Sequence, residues 1–483
     1  MASYLLIFGS AAAETQSADA DAWRALSRLG YGPTPALVEQ VQRAGGARSW
    51  ALGEIDRAST ASHSPAQIDV ANAEFNAPLP EIFSNYRSEL ALRREIRAQE
   101  QASSSAVSPA PEVTAVANPA RNYSNRVARQ AASWRLASCS QPDTENPLLA
   151  RLTEFWFNHL NVSSDKGIVK PFVGHYVLHA IRRNVLGRFD ELLLASGRHP
   201  AMLYYLDQTQ SVADGTTLGQ QRRGLNENYA RELMELHTLG VNGGYTQRDV
   251  RELARILTGW AVAPQQPEGF RFVPRLHDTQ AKTLLGRTFA AAPSSAGETE
   301  GLAAIRLLSE QTATAQRIAL RLAQWFVADQ PPQALVDQLA RSFQTSQGDL
   351  RTVMRTLVAS RAFWDPANKL FKTPYDYVCS VLAATGGAHN DRDISLALGA
   401  LNGAGQGIHR WPTPDGYKSD TATWLAPEAL TRRADYAMAI ARKEPPVDYL
   451  AAFVQPATMQ RINAQPPKLR AGLMLASPDF MAK

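Results

Sequence analysis

A mainly α-helical fold, all-α with at most one small β-hairpin, is what this chain predicts, and three observations carry that expectation. Apolar residues recur at helical spacing along nearly the whole length. Helix starts are densely marked: Thr34-Pro35, Asn146-Pro147 and Thr246 with Asp249 each join a capping side chain to a favourable first-turn residue. Strict alternation appears in one place, residues 269–278. With 483 residues, 45% of them hydrophobic and 20% charged, the chain can bury a large core and has the composition of a folded, water-soluble protein.

Taken in order, residues 1–18 read as the remnant of an export signal. The apolar Tyr4-Leu-Leu-Ile-Phe is followed by the small-residue run Ala11-Ala-Ala, with cleavage expected near Ala13, although no basic residue precedes Arg24. Residues 19–483 then form a single large helical domain. Trp23, Leu26 and Leu29 share one helical face, Gly30-Tyr-Gly-Pro breaks it, and Thr34-Pro35 opens the next helix. A polar helix follows over 79–101, with Glu89, Arg93, Arg94, Glu95 and Arg97 at exposed positions. Residues 102–120, rich in Ala, Ser and Pro and lacking basic residues, read as a flexible loop.

After a helix near 124–137, Asn146 and Pro147 start a helix in which Leu148, Leu149, Leu152, Phe155, Trp156 and His159 form one apolar stripe. His159 therefore points inward, while Glu154 and Asn158 lie together on another face. Helices over 172–183 and 186–196 follow, then a short one after His199. His175 and His179 stand four apart, a spacing that suits a metal and is as common on plain helical surfaces. The polar, glycine-punctuated segment 211–224 is a candidate lid.

The densest polar stretch is 226–260, two helices in sequence. Asn228, Arg231, Glu232 and Glu235 fall on one face of the first, with Ala230, Leu233, Met234 and Leu236 opposite and His237 projecting from among them. Gly240-Val-Asn-Gly-Gly breaks this helix, Thr246 and Asp249 start the second with a variant capping box, and Gly259 ends it. Beyond lie the alternating 269–278 and its expected hairpin mate 282–289. Helices then run over 311–328, 332–345, 349–359 and 375–386, followed by the turn-rich Trp411-Pro-Thr-Pro-Asp-Gly-Tyr and a helix over 426–443.

Charge and motifs exclude several classes. The net charge of +5 comes from 50 basic and 45 acidic residues spread along the chain. Pairs such as Arg182-Arg183 and Arg432-Arg433 are isolated and read as solvated helix surface, so no nucleic-acid partner is expected. No apolar run is long enough for a transmembrane segment. Gly-x-Ser-x-Gly, phosphate-binding glycine loops, dinucleotide fingerprints and His-Glu-x-x-His are all missing, which disfavours serine hydrolases, nucleotide enzymes and common zinc proteases. Cys139 and Cys379, the chain's two cysteines, form either a single bridge or two buried thiols.

The blocks RLGYGPTP, LTEFWFNHL, HPAMLYYLD, NENYARELMELHTLGVNGGYTQRDV, LTGW, HDTQAKTLLG, KTPYDYV and PDGY, in that order, resemble a bacterial family of uncharacterised exported helical proteins, domain of unknown function eighteen hundred. The resemblance implies a mainly helical exported protein, periplasmic or secreted, often encoded beside a sulfatase-like partner; it implies no reaction. Where family members often read Phe-Trp-His-Asn-His, this chain has Phe157 in place of the first His, which weakens any metal scheme needing both imidazoles. The tail reads PDGY without the glycine-rich tryptophan loop of some members.

The candidate site collects these residues. Glu232, Glu235, Arg231 and Asn228 are the catalytic candidates, and His159, His277, Asp278 and His237 the candidate ligands of a divalent metal, with one carboxylate free as general base. His159 and His237, each on an apolar stripe, are expected to approach each other. At least three of His159, Asn228, Glu232, Glu235, His277 and Asp278 are expected to line one cavity. The alternative is that the two glutamates are solvated and paired with Arg231 while the histidines are hydrogen-bonded core residues. Two functions follow. One is a hydrolytic or oxidative exported enzyme, metal-dependent in one version, acting on a cell-envelope or extracellular polymer. The other is a non-catalytic partner that binds or matures a sulfatase-like exported protein.

Overall fold

The computed structural model describes residues 18–104, 122–218, 220–388 and 390–483. The export-signal segment 1–18 and the loop 102–120 fall almost entirely outside these residues. Helix makes up 64% of the structure and strand 4%, so the fold is mainly α. Among the described residues no helix is long and apolar enough to cross a membrane.

Strand is confined, among the described residues, to three two-stranded antiparallel ladders: Thr217–Leu218 with Gln221–Arg222, Trp260–Val262 with Phe270–Phe272, and Lys282–Leu284 with Arg287–Phe289. The sequence led us to expect a single hairpin joining 269–278 to 282–289, and this is corrected. Each segment pairs with a different neighbour. Phe270–Phe272 folds back on Trp260–Val262, just after Gly259 with its φ of 90°. Lys282–Leu284 turns on Arg287–Phe289 through Leu285 and Gly286, both at positive φ, as the favoured two-residue hairpin turn requires. The 211–224 segment carries the third ladder.

Apolar side chains gather in two clusters. The larger draws on helices between residues 22 and 364; the second is built mainly from residues 375–481, with Tyr31, Leu136, Cys139 and Ala150. The helix Pro147–His159 serves both, and every residue from Leu148 to His159 is buried. A helix surrounded on all sides must supply partners for its own polar groups. Arg151 pairs with Asp376, which also receives Lys483 and closes the capping box with Thr373 at the start of helix Pro374–Ala384. Burial acts to raise the Asp376 pKa, but Arg151 and Lys483 outweigh it and hold the carboxyl well below its usual range. Glu154 pairs with Arg135 of helix Tyr123–Ser140. A disulfide joins that same helix to Pro374–Ala384 through Cys139 and Cys379.

Several polar residues are therefore internal, some of them expected at exposed positions. Glu154 and Asn158 are buried. So is Glu89, which accepts from the backbone N–H of Ser124 (3.1 Å) and from Arg93 (2.7 Å). Arg182 is buried against Glu145, and Arg433 against the rings of Phe371 (4.4 Å) and Tyr377 (5.2 Å). Helical periodicity records which positions are apolar; it does not record that a distant charge will cover a polar one.

Replacing Asp376 with Asn leaves Arg151 and Lys483 buried without their counter-ion. The expected loss is about 3–5 kcal/mol in urea unfolding; a change below 1 kcal/mol would mean that this network contributes little.

Candidate functional site

The first helix of the 226–260 pair runs over Asn228–Glu232 and continues over Leu233–His237 as a π-helix, a form that often marks functional sites. The turn then ends sharply: Thr238 Oγ1 donates to the Leu233 carbonyl (2.7 Å), and the Gly240 N–H, at φ 85°, donates to that of Met234 (3.0 Å). The open carbonyl of His237 accepts from His159 Nε2 at 3.0 Å, and the two imidazole centroids lie 6.4 Å apart. The expected approach of the two histidines is thus present. Burial, then the charge of Arg317, lowers both pKa values, that of His237 to about 3. Both rings are neutral and part of the core.

A second element closes on the same place. The loop Trp411-Pro-Thr-Pro-Asp-Gly-Tyr lies on the end of the Pro147–His159 helix. Asn158 treats Tyr417 as a strand would: its Nδ2 donates to the Tyr417 carbonyl (2.9 Å) and its Oδ1 accepts from the Tyr417 N–H (2.7 Å). Gly416, at φ 70°, packs against Asn158 so closely that a β-carbon would overlap the Asn158 carbonyl oxygen. Asn161 Nδ2 donates to the carbonyls of Trp411 (3.2 Å) and Thr413 (2.8 Å), and the Tyr205 hydroxyl to that of Pro412 (2.8 Å). The loop is held from three sides, and it presents Asp415 at its exposed rim.

Glu232 and Asp415 are electrostatic neighbours with opposed environments. Burial and the adjacent carboxylates Glu235 and Asp415 raise the Glu232 pKa above its ordinary value, with Arg231 opposing. Burial also acts to raise Asp415, but its carboxylate accepts from Thr413 Oγ1 (2.6 Å) and Trp411 Nε1 (2.9 Å), and the net shift is downward. Glu232 is half-buried and makes no hydrogen bond or ion pair among the described residues. The same holds for Arg321 on helix Thr312–Phe326, which interacts electrostatically with both His159 and Asp415.

The other catalytic candidates are occupied. Arg231 pairs with Glu235 (3.3 Å) and Glu227 (3.4 Å) and donates to Gln247 (2.8 Å). Asn228 is exposed and ties the helix start to the Leu206 carbonyl (3.0 Å).

Among the described residues the four candidate metal ligands do not form one set. His159 Nε2 is spent on a carbonyl. His277 and Asp278 belong to another network, where Asp278 grips Arg255 through both oxygens (2.8 and 3.1 Å), His277 Nδ1 donates to the Thr258 carbonyl (2.9 Å), and His277 Nε2 lies 3.4 Å from Glu300. Lys282 and Glu252 complete it by holding Glu300 and the Thr283 N–H. This network fastens the Lys282–Leu284 ladder to the helices Gln247–Ile256 and Gly297–Glu310. Among the described residues no group of three His, Cys, Asp or Glu is placed to hold a metal ion. Nor do His159, Asn228, Glu232, Glu235, His277 and Asp278 line any of five well-formed surface recesses. Phe157, where the family resemblance leads one to expect His, packs on Arg135 (5.1 Å) and His409 (5.0 Å).

Sequence reasoning missed Asp415, Arg321 and Tyr205. Asp415 stood inside a quoted motif but read as a turn residue. Arg321 falls within the 311–328 helical pattern, in which no charged residue stood out.

Replacing Asn158 with Ala removes both bonds to Tyr417. We expect a loss of about 1–3 kcal/mol and faster amide exchange over 411–417, with the Arg255–Asp278 region unchanged; uniform exchange would contradict the clamp. The buried neutral histidines His159, His237 and His199 have depressed pKa values, so their contribution to stability is complete above the ordinary histidine value of 6.5 and is lost as pH falls towards about 3. A melting temperature unchanged across that window would contradict their neutral burial.

No curated protein and no solved structure matches the chain. A family model described as "Protein of unknown function (DUF1800)" matches residues 24–482, spanning the π-helical turn, the loop that carries Asp415 and both core clusters, and the chain therefore belongs to the DUF1800 family.

Proposed function

We propose that the protein is a hydrolase acting outside the cytoplasm on a cell-envelope or extracellular polymer, with Glu232 and Asp415 as its acid/base pair. The observation that carries this reading is that a half-buried, unpaired Glu232 has as an electrostatic neighbour Asp415, whose own hydrogen bonds favour its ionised form. Two neighbouring carboxyl groups whose environments push their pKa values apart divide the labour of proton transfer. Protonated Glu232 donates to the leaving-group oxygen of the scissile linkage. Ionised Asp415, exposed at the rim where water reaches it, takes the proton from the attacking water. Tyr205 holds the loop that positions Asp415.

The location rests on the Cys139–Cys379 disulfide, because such bonds persist in oxidising compartments and are rare in the cytosol. It agrees with the small-residue run at Ala11-Ala-Ala. A sulfatase-like protein exported alongside is the partner that the family resemblance suggests.

The test is release of reducing ends or free acid from envelope polymer by wild type, Glu232→Gln and Asp415→Asn. We expect each substitution to lower the rate by roughly 100-fold or more with melting unchanged. The pH profile should be a bell whose falling limb lies above the ordinary glutamate value of 4.5 and whose rising limb lies below the ordinary aspartate value of 3.8. Retained activity in both variants would overturn the assignment. Absence of hydrolysis together with stable co-purification of a sulfatase-like protein would favour the binding role instead. Protein recovered from its host should contain no free thiol; two free thiols would contradict the oxidising location.

A further inference from the structure

Most deeply placed arginines in this fold face a carboxylate: Arg135 meets Glu154, Arg151 meets Asp376 and Arg182 meets Glu145. Arg28 and Arg433 are held instead by backbone carbonyls and aromatic rings, and two less buried arginines on helix Thr312–Phe326 also lack a carboxylate in contact. Arg317 and Arg321 stand one turn apart on the flank of its buried face, beside the His159–His237 contact. Arg317 donates from Nε to the Leu236 carbonyl (3.0 Å), and its guanidinium fills the space beside Gly240, where a side chain would crowd it. Arg321 has neither hydrogen bond nor ion pair among the described residues, and none of its nitrogens is sealed from solvent. Asp415, the carboxylate that interacts with it, lies beyond ion-pair contact and already accepts from Thr413 and Trp411.

Both guanidinium groups have lowered pKa values, from burial first and then, for Arg317, from the charge of Arg321. Arg317, lowered to about 10, still carries its charge at neutral pH. A half-buried cation without a partner is costly to maintain, and its planar fork of donors is matched by a carboxylate or sulfate group.

We propose that Arg321, backed by Arg317, is a binding subsite for an oxyanion carried by the polymer, so that the protein takes acidic rather than neutral chains. This rests on the hydrolase reading for calling the ligand a substrate; the subsite itself rests on the two arginines. Carboxylate and sulfate ester share the chemistry, and separate probes distinguish them. Asp415 interacts electrostatically with both Arg321 and Glu232, so a chain bound through its acidic group at Arg321 is held near the acid/base pair.

The experiment is titration calorimetry of the full-length Glu232→Gln protein, in which turnover is blocked, with an oligogalacturonate, a sulfated oligosaccharide of similar length and an uncharged dextran oligomer. We expect one or both acidic probes to bind more tightly than dextran, with an affinity that falls as salt is raised. Arg321→Gln should weaken the acidic probe about tenfold or more while leaving dextran unchanged. Arg321→Lys, which keeps the charge but loses the fork, should fall between, and it serves as the test if the Gln variant melts early. Equal binding of acidic and neutral probes, or undiminished acidic binding by a well-folded Arg321 variant, overturns the subsite. Absence of any hydrolysis by the wild type while Arg321-dependent binding persists defeats the hydrolase reading and leaves the subsite standing.

Discussion

Burying the helix Pro147–His159 on every side is the constraint from which the remaining architecture follows. A helix sunk completely into a core has no water to satisfy its polar side chains, so each must be met by another part of the chain. Arg151 draws in Asp376 and, through it, Lys483; Glu154 draws in Arg135; Asn158 draws in the backbone of Tyr417; His159 reaches the His237 carbonyl. These partners come from four segments far apart in sequence. Satisfying one helix fixes how the two apolar clusters meet and which loop lies over its end.

The candidate site is a by-product of that assembly. Asn158 and His159 are neighbours at the C-terminal end of the helix, and they hold two different elements, the 411–417 loop and the π-helical turn. The helix Asn228–Glu232 that runs into the turn brings Glu232, the loop brings Asp415, and the helix Thr312–Phe326 brings Arg321. Around them the charges are consumed in pairs, Arg231 with Glu235 and Arg255 with Asp278. Glu232 and Arg321 are left over. Buried Lys372 and Arg433 also lack a hydrogen-bond partner but are covered by aromatic rings, whereas half-buried Glu232 and Arg321 are a carboxyl group and a cation open to a ligand.

Features governed by local chemistry were legible in the sequence. Thr34 accepts from the Leu37 N–H, Asn146 from that of Leu149, and Thr246 with Asp249 forms a full capping box, because caps depend on residues three apart. The inward direction of His159 was also legible, since it followed from an apolar stripe. Pairings across the chain were not. Spacing places Glu154 and Asn158 together on one face but does not say that Arg135 and Tyr417 come against it. A metal set built from His159, His237, His277 and Asp278 was plausible by residue type, but which networks those side chains join is decided by Thr258, Arg255 and Glu300. Asp415 was hidden by its turn, whose proline and glycine advertise backbone geometry rather than chemistry.

The claim that the buried helix brings two carboxyl groups within electrostatic reach of each other in opposed environments is tested most directly by following their protonation. Carbon-13 resonances of the Glu232 and Asp415 carboxyl groups, assigned with Glu232→Gln and Asp415→Asn and followed against pH, report each group separately. The account predicts that Glu232 titrates above 4.5 and Asp415 below 3.8, and that loosening the loop with Asn158→Ala returns both towards those ordinary values. Two carboxyl groups that already titrate at their ordinary values in the intact protein would contradict it.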